Sequence, residues 1–290
     1  MILSLPIGKT SDFATLVKPR ITTLVLVTTA AGLWMTPMTL SSTVIFFTLL
    51  GTCLLVGAAN TLNMYLERDV DARMRRTSDR PLPARRMSPQ SALYFGIGLA
   101  VAALIILLTT TNRLTFLLGI IAFVSYVLFY TPLKRKSPIA LLVGAVPGAL
   151  PPLMGWTAAT GSIGPGGLVL FFILFLWQIP HFLAIALCHQ EEYEKAGIRV
   201  LPLEKGDRTT RHWIVRYTAG LFAVSLYPLF LGMAGRSYLV PAFLLGGLFL
   251  FLGCLGLKQT TGLRWARNFF LASVIYLPLI LISLVLSKTP

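Results

Sequence analysis

The sequence predicts an all-α polytopic membrane protein of about nine transmembrane helices around a central cavity, with two acidic motif loops on the cytoplasmic side. Three observations predict it. Of 290 residues, 56% are apolar and 12% charged, with a mean hydropathy of +0.78, whereas a water-soluble domain carries about a quarter charged residues. Nine windows are long and apolar enough to cross a hydrocarbon core about 30 Å thick, which takes roughly 20 residues of helix. The charges between these windows are sorted by side and by sign.

In chain order the predicted spans are 21–38, 43–66, 91–110, 114–131, 138–157, 167–189, 213–233, 238–257 and 267–287. The first two are separated only by the turn Pro37 to Ser42. Met1 to Arg20 has no continuous apolar core, so a leader and not a signal peptide is expected there. In the fifth span Pro147, Pro151 and Pro152, with Gly144 and Gly148, predict a break or kink. Broken helices at membrane depth line cavities.

Twenty-two of the 25 Lys and Arg residues fall on the N-terminus, the even-numbered loops and Arg216, leaving Arg113, Arg236 and Lys288 for the other side. The positive-inside rule therefore places the N-terminus in the cytoplasm and, with nine spans, the C-terminus opposite. The net charge of +15 is loop charge on a membrane protein, so no nucleic-acid partner is expected and membrane lipid is. Cys53, Cys188 and Cys254 are far apart and form no paired or metal-binding motif.

The acids sort more sharply. Glu67, Asp69, Asp71 and Asp79 follow span two; Glu191, Glu192, Glu194, Glu204 and Asp207 follow span six; only Asp12 lies elsewhere. At 100° per residue, Asn63, Glu67 and Asp71 drift about 40° per step, so three oxygen-bearing side chains share one helical stripe. That is a hard-cation ligand set, and Mg²⁺ is usually held by a few carboxylates plus substrate phosphates. Arg68, Arg75, Lys134 and Arg135 would add positive charge for a polyphosphate. The second cluster, with Glu191 and Glu192, occupies the matching place after another span. Each cluster is followed by a basic-x-Leu-Pro step, Arg80 to Pro83 and Arg199 to Pro202, the mark of two related halves. The competing reading takes all of these as juxtamembrane charges paired at the lipid surface.

Among the apolar spans, Tyr65, Tyr126, Tyr130, Trp177 and Phe182 lie near the charged face and can serve helix packing or flank a cation. His181 is eight residues inside the end of its span, where a titratable ring is costly unless buried or lining a cavity. It can act as a base or satisfy an interhelical hydrogen bond. His189 reads as a boundary residue and His212 as a loop residue.

The motifs Lys18-Pro-Arg20, Asn63 to Asp71 running on to Arg75-Arg76-Thr77 and Arg80-Pro81, Tyr130 to Arg135, Gly144 to Pro152, Gly155-Trp156, Trp177 to Phe182 and Glu191 to Ile198 together resemble the UbiA-type intramembrane prenyltransferases. They resemble most the haem branch of that family, over essentially the whole chain. The superfamily pattern has an acid where Met64 stands and aspartates where His189 and Tyr193 stand. The haem branch commonly has Gly-Ile-Pro-Met where this chain reads Gly197-Ile-Arg-Val200.

The resemblance implies one intramembrane prenyltransferase domain over 1–290, with 1–20 as a cytoplasmic leader. It implies Mg²⁺-dependent transfer of a farnesyl group from farnesyl diphosphate to a vinyl group of protohaem IX (haem B), with a hydroxyl added from water. Asn63, Glu67, Asp71, Glu191 and Glu192 would hold metal, and Lys134 with Asn63, Glu67 and Asp71 would be catalytic. Arg68, Arg75, Tyr130, Arg135, Trp177, His181 and Phe182 would bind substrates. It implies a multi-pass protein of the cell inner membrane, with hand-over of product to haem A synthase or terminal oxidase assembly. Two rivals remain at this stage. One is a sister prenyltransferase acting on an aromatic quinone or chlorophyll precursor; the other is a transporter, which would place its acids nearer mid-membrane.

Overall fold

The computed structural model describes residues 8–258 and 262–289, and these are almost entirely helical. In order they form α1 (Thr10–Leu16), α2 (Pro19–Trp34), α3 (Ser42–Asp71), α4 (Pro89–Thr110), α5 (Arg113–Val124), a π-helical turn (Ser125–Tyr130) and α6 (Thr131–Leu133). These are followed by α7 (Ala140–Thr160), α8 (Pro165–Cys188), α9 (Gln190–Ala196), α10 (Leu201–Ser225), α11 (Tyr227–Phe230), α12 (Leu239–Leu255) and α13 (Leu263–Leu286). Eight stretches are long and apolar enough to span, and α1 with α2, bent by 49°, supplies a ninth. The nine predicted spans match these, although the seventh begins at Leu201, well before 213, with a kink at Gly206 (φ 78°).

Local sequence fixes several starts. Ser41 Oγ accepts from the Val44 N–H at the head of α3, Ser88 Oγ from Ser91 ahead of Pro89, and Asn112 Oδ1 from Thr115. The thirty residues of α3 make a rod of about 45 Å, longer than the hydrocarbon core. Its last turns therefore stand clear of the apolar slab, and those turns carry Asn63, Glu67 and Asp71.

The helices form a closed ring in which α2 packs on α3 and α7, α3 on α4, α5 on α7, α7 on α8, α8 on α10 and α13, and α10 on α12. The most inward is α7, two-thirds of whose apolar window is buried. Where α2 meets α7 the backbones touch: a Cβ on Gly32 would lie 2.0 Å from Pro152 O, and one on Gly155 2.2 Å from Thr29 O. The break expected from the three prolines is not there; α7 runs unbroken through Pro147, Pro151 and Pro152, all buried. Prolines are tolerated in a spanning helix whose freed carbonyls lie against protein. Gln178 of α8 donates to Ala145 O at 3.3 Å beside them.

One end of the ring carries the polar connections. Arg86 pairs with Asp12 and with Asp79 at 3.0 Å each, tying α1 to the segment after α3. At the other end Lys288 Nζ donates to Trp34 O and Thr36 O at 2.7 Å each, joining the last helix to the first span.

Candidate active site

Two cavities meet inside the ring at its polar end. The polar one, about 310 Å³, is lined by Asn63, Glu67 and Asp71 of α3, by Lys18, Arg76, Arg80, Lys134 and Arg199, and by Tyr193. The apolar one, about 390 Å³, is lined by α2, α3, α7 and α8, including Gly144, Gly148, Trp177, Gln178 and His181. Ile21, Tyr126, Tyr130, Leu141 and Phe182 line both and form the seam between them.

The stripe on α3 is formed as its spacing requires, with Asn63, Glu67 and Asp71 2%, 7% and 3% exposed. Each of its three side chains already has a lysine or arginine partner. Lys18 Nζ donates to Asn63 Oδ1 at 3.1 Å. Lys134 Nζ sits 2.9 Å from Glu67 Oε1 and 3.1 Å from Oε2. Arg80 donates to Asp71 Oδ2 at 2.7 Å. The Asn63 amide is oriented from behind, its Nδ2 donating to Thr131 Oγ1 at 3.1 Å, which in turn donates to Tyr126 O at 2.8 Å. Lys18 is aimed by its backbone, a left-handed residue (φ 48°) between α1 and Pro19 at the start of α2. A non-glycine residue in that region is strained, as residues at functional sites are. Burial works against the Lys134 ammonium, but Tyr130, Glu67 and Tyr126 outweigh it and hold its pKa above the ordinary lysine value.

Five basic side chains against two carboxylates give the polar cavity an excess of positive charge. Among the described residues no three His, Cys, Asp or Glu side chains converge as a complete metal cage. Two carboxylates and an amide oxygen on one stripe instead fit a magnesium ion that completes its octahedron with water and the oxygens of a bound polyphosphate.

Several expected residues lie elsewhere. Arg68 is exposed and donates to Tyr65 O at 2.6 Å, over the Tyr65 ring. Arg135 pairs outside with Asp69 at 2.5 Å, and Arg75 is exposed. None of the three lines a cavity. The cations that do are Lys18, Arg76, Arg80 and Arg199, with Lys134. Glu191 is exposed and Glu192 half-buried, its Oε2 without a hydrogen-bond partner, and neither reaches the cavities. The second cluster offers Tyr193, with Arg76 5.9 Å from its ring centre, at a position where the superfamily carries aspartate. The two matched basic steps do converge, since Arg80 and Arg199 line the same cavity.

Tyr130, Trp177, His181 and Phe182 do line the cavities. Tyr130 lies 5.2 Å from Tyr126 centre to centre and 4.6 Å from Lys134 Nζ. Its ring rests on Gly144, whose Cβ would come within 2.5 Å of it. Trp177 donates to Ser273 O at 2.8 Å and stacks on His181 at 4.7 Å. Tyr65 faces away, into a cluster with Leu16, Met64 and Met87.

Residues 25–274 match the UbiA prenyltransferase family. The chain belongs to that family. A UbiA prenyltransferase is an enzyme, which removes the transporter reading. Among its relatives, a protohaem IX farnesyltransferase of Sorangium cellulosum (strain So ce56) is 56% identical over 82% of this chain and 85% of its own length. Another of that name, from Myxococcus xanthus (strain DK1622), is 50% identical over 97% and 95%. The UbiA fold is matched by a solved digeranylgeranylglyceryl phosphate synthase, with a TM-score of 0.83 at 16% identity over 96% and 97% of the two chains. A UbiA homologue from Archaeoglobus fulgidus bound to GPP and Mg²⁺ gives 0.66 at 17% over 94% and 99%.

Proposed function

We propose that this UbiA enzyme transfers a farnesyl group from farnesyl diphosphate to a vinyl group of protohaem IX, in the cell inner membrane with its N-terminus in the cytoplasm. The observation that carries prenyl transfer is the seam: a cationic cavity with an oxygen-ligand stripe opens, across Tyr126, Tyr130 and Phe182, into an apolar one. The choice of acceptor and of the farnesyl chain rests on the names of the relatives.

The barrier in such a reaction is separation of an allylic cation from a diphosphate anion, so the protein works by stabilising charge. Lys18, Arg76, Arg80, Lys134 and Arg199 hold the leaving group. Asn63, Glu67 and Asp71 would hold Mg²⁺, which would neutralise the diphosphate and make it a better leaving group. The prenyl tail leaves the seam into apolar surroundings, which keep water from quenching the cation early. Ring faces of Tyr126, Tyr130 and Phe182 sit where the cation forms and attract it without bonding to it. The terminal vinyl carbon then bonds to C1 of the prenyl group, its former double bond supplying the electrons. The cation left on the inner vinyl carbon takes hydroxide from water, which releases one proton, and diphosphate departs.

Incubating the purified protein with Mg²⁺, farnesyl diphosphate and protohaem should give extracted haem heavier by a farnesyl group plus water. Diphosphate release with an aromatic acceptor but not with haem would keep the prenyl chemistry and move the acceptor.

A further inference from the structure

We infer that His181 ligates the acceptor's iron through Nε2, holding the porphyrin in the apolar cavity with a vinyl edge toward the seam. This rests on the reading of the acceptor as a haem. One hydroxyl hydrogen decides the tautomer of His181. Ser273 Oγ donates to Phe270 O at 2.5 Å, and a serine has only one hydrogen to give. Its other close contact, His181 Nδ1 at 2.7 Å, is therefore made by Ser273 Oγ as acceptor. Nδ1 carries the ring proton, and Nε2 carries a lone pair.

Nε2 meets no hydrogen-bonding partner among the described residues, and the ring lines the apolar cavity. A histidine used only to join α8 to α13 would have its bond to Ser273 and no reason to open its other nitrogen on a cavity. The ring is also fixed in orientation. Trp177 stacks on it at 4.7 Å, Phe270 lies against it at 5.1 Å and Phe182 meets it edge-on at 5.2 Å. Ser273 is in turn held by the Trp177 indole on its carbonyl. A neutral imidazole whose far N–H is bonded to a protein oxygen is the usual arrangement of a metal-ligating histidine, and that bond makes the ligand more basic.

Ligation fits the position better than proton transfer at the reacting carbon does. His181 lines the apolar cavity alone, whereas the diphosphate cavity meets it only at Ile21, Tyr126, Tyr130, Leu141 and Phe182. A porphyrin anchored by its iron at His181 extends toward that seam, which is where C1 of the prenyl group must lie. The bond is a lone-pair donation with no change in iron oxidation state.

The test compares haem with metal-free protoporphyrin, which has the same vinyl groups and no iron, in binding to the purified full-length protein. Wild type should show a histidine-ligated haem spectrum and bind haem at least about tenfold more tightly than the metal-free ring. His181→Ala should lose that spectrum and that preference while binding metal-free protoporphyrin unchanged, and added imidazole should restore the spectrum. Ser273→Ala should keep the ligand and lower the iron–histidine stretching frequency, because the bond to Nδ1–H is gone. Equal affinity of wild type for the two porphyrins, or an unchanged haem spectrum in His181→Ala, would overturn ligation and leave the farnesyl transfer standing. Binding of neither porphyrin by wild type would overturn the haem acceptor itself, and this inference with it.

Discussion

Lys18 Nζ donates to Asn63 Oδ1 at 3.1 Å, bridging 45 residues of chain from the start of α2 to the polar end of α3. The same pattern holds at Glu67 with Lys134 and at Asp71 with Arg80. Each side chain proposed to hold the metal thus has a basic partner in its place. Binding of a metal–diphosphate would exchange these partners, the oxygens passing to the metal and the cations to the phosphates. Lys18→Met should remove one such contact and lower kcat/KM for the prenyl diphosphate by about 100-fold, the loss typical of one charge-stabilising donor. Steady-state kinetics on protein of unchanged melting temperature checks this; a near-normal rate would remove Lys18 from the diphosphate site.

Glu67→Gln and Asp71→Asn keep size and lose charge. Each should reduce turnover by at least about 100-fold, and chelation of divalent metal should stop the wild type, with activity returning on addition of Mg²⁺. Near-normal turnover in both variants would show that the α3 stripe does not hold the metal.

Arg68→Ala and Arg135→Ala act as the contrast. Both side chains point outside the cavities, and exposed ion pairs contribute about 0 to 1 kcal/mol. Their kcat/KM should stay within a few-fold of wild type, whereas Arg80→Ala should fall with Lys18→Met. Assay of the three together discriminates the cations of the cavity from those of the surface.

Gly144→Ala should impair turnover through Tyr130, because the added methyl would sit 2.5 Å from that ring. The ring must turn off the seam, so kcat should drop while affinity for the diphosphate, read by calorimetry, holds. Unchanged kcat would mean that the ring is not beside the reacting carbon.

Two glycines predict opposite signs of stability. Gly155→Ala puts a methyl 2.2 Å from the Thr29 carbonyl, where backbone has to move, and overpacking costs about 1–3 kcal/mol or more. Gly98 in α4 has nothing within 4 Å of its Cβ position, so Gly98→Ala should gain up to about 1 kcal/mol of helix propensity. Thermal unfolding in detergent should show a lower midpoint for the first and an equal or higher one for the second.

Much of this was legible in the chain because helical arithmetic is local. The nine spans follow from apolar length alone, and the Asn63, Glu67, Asp71 stripe follows from spacing by four. The same arithmetic places Arg68 about 100° round from Glu67, which is why it faces outward. What spacing does not carry is the path of the connections. Arg80 returns to Asp71 through irregular turns after α3, and Arg199 enters the cavity only because Gly197 (φ 71°) ends α9 and Arg199 N–H then bonds to Lys134 O at 3.0 Å. The same short helix turns Tyr193, and neither Glu191 nor Glu192, toward the site. Lys18 depends on a left-handed backbone residue, for which a lysine gives no signal.

The π-helical turn Ser125–Tyr130 sets a register for everything beyond it. An i→i+5 turn holds one residue more than an α-turn, in effect a single-residue insertion. It lets Tyr126 and Tyr130, four apart, come back nearly over one another, where α-helical spacing would offset them by about 40°. Lys134, the next residue in that series, follows them onto Glu67. A gene lacking one codon within this turn would encode a smoother helix with Thr131 to Lys134 facing much as they do now, because five α-helical residues turn through about the same angle as six in the wider π-turn. The turn is thus a place where the chain can lose a residue and keep its catalytic face, whereas the same loss between Thr131 and Lys134 would carry Lys134 about 100° away from Glu67.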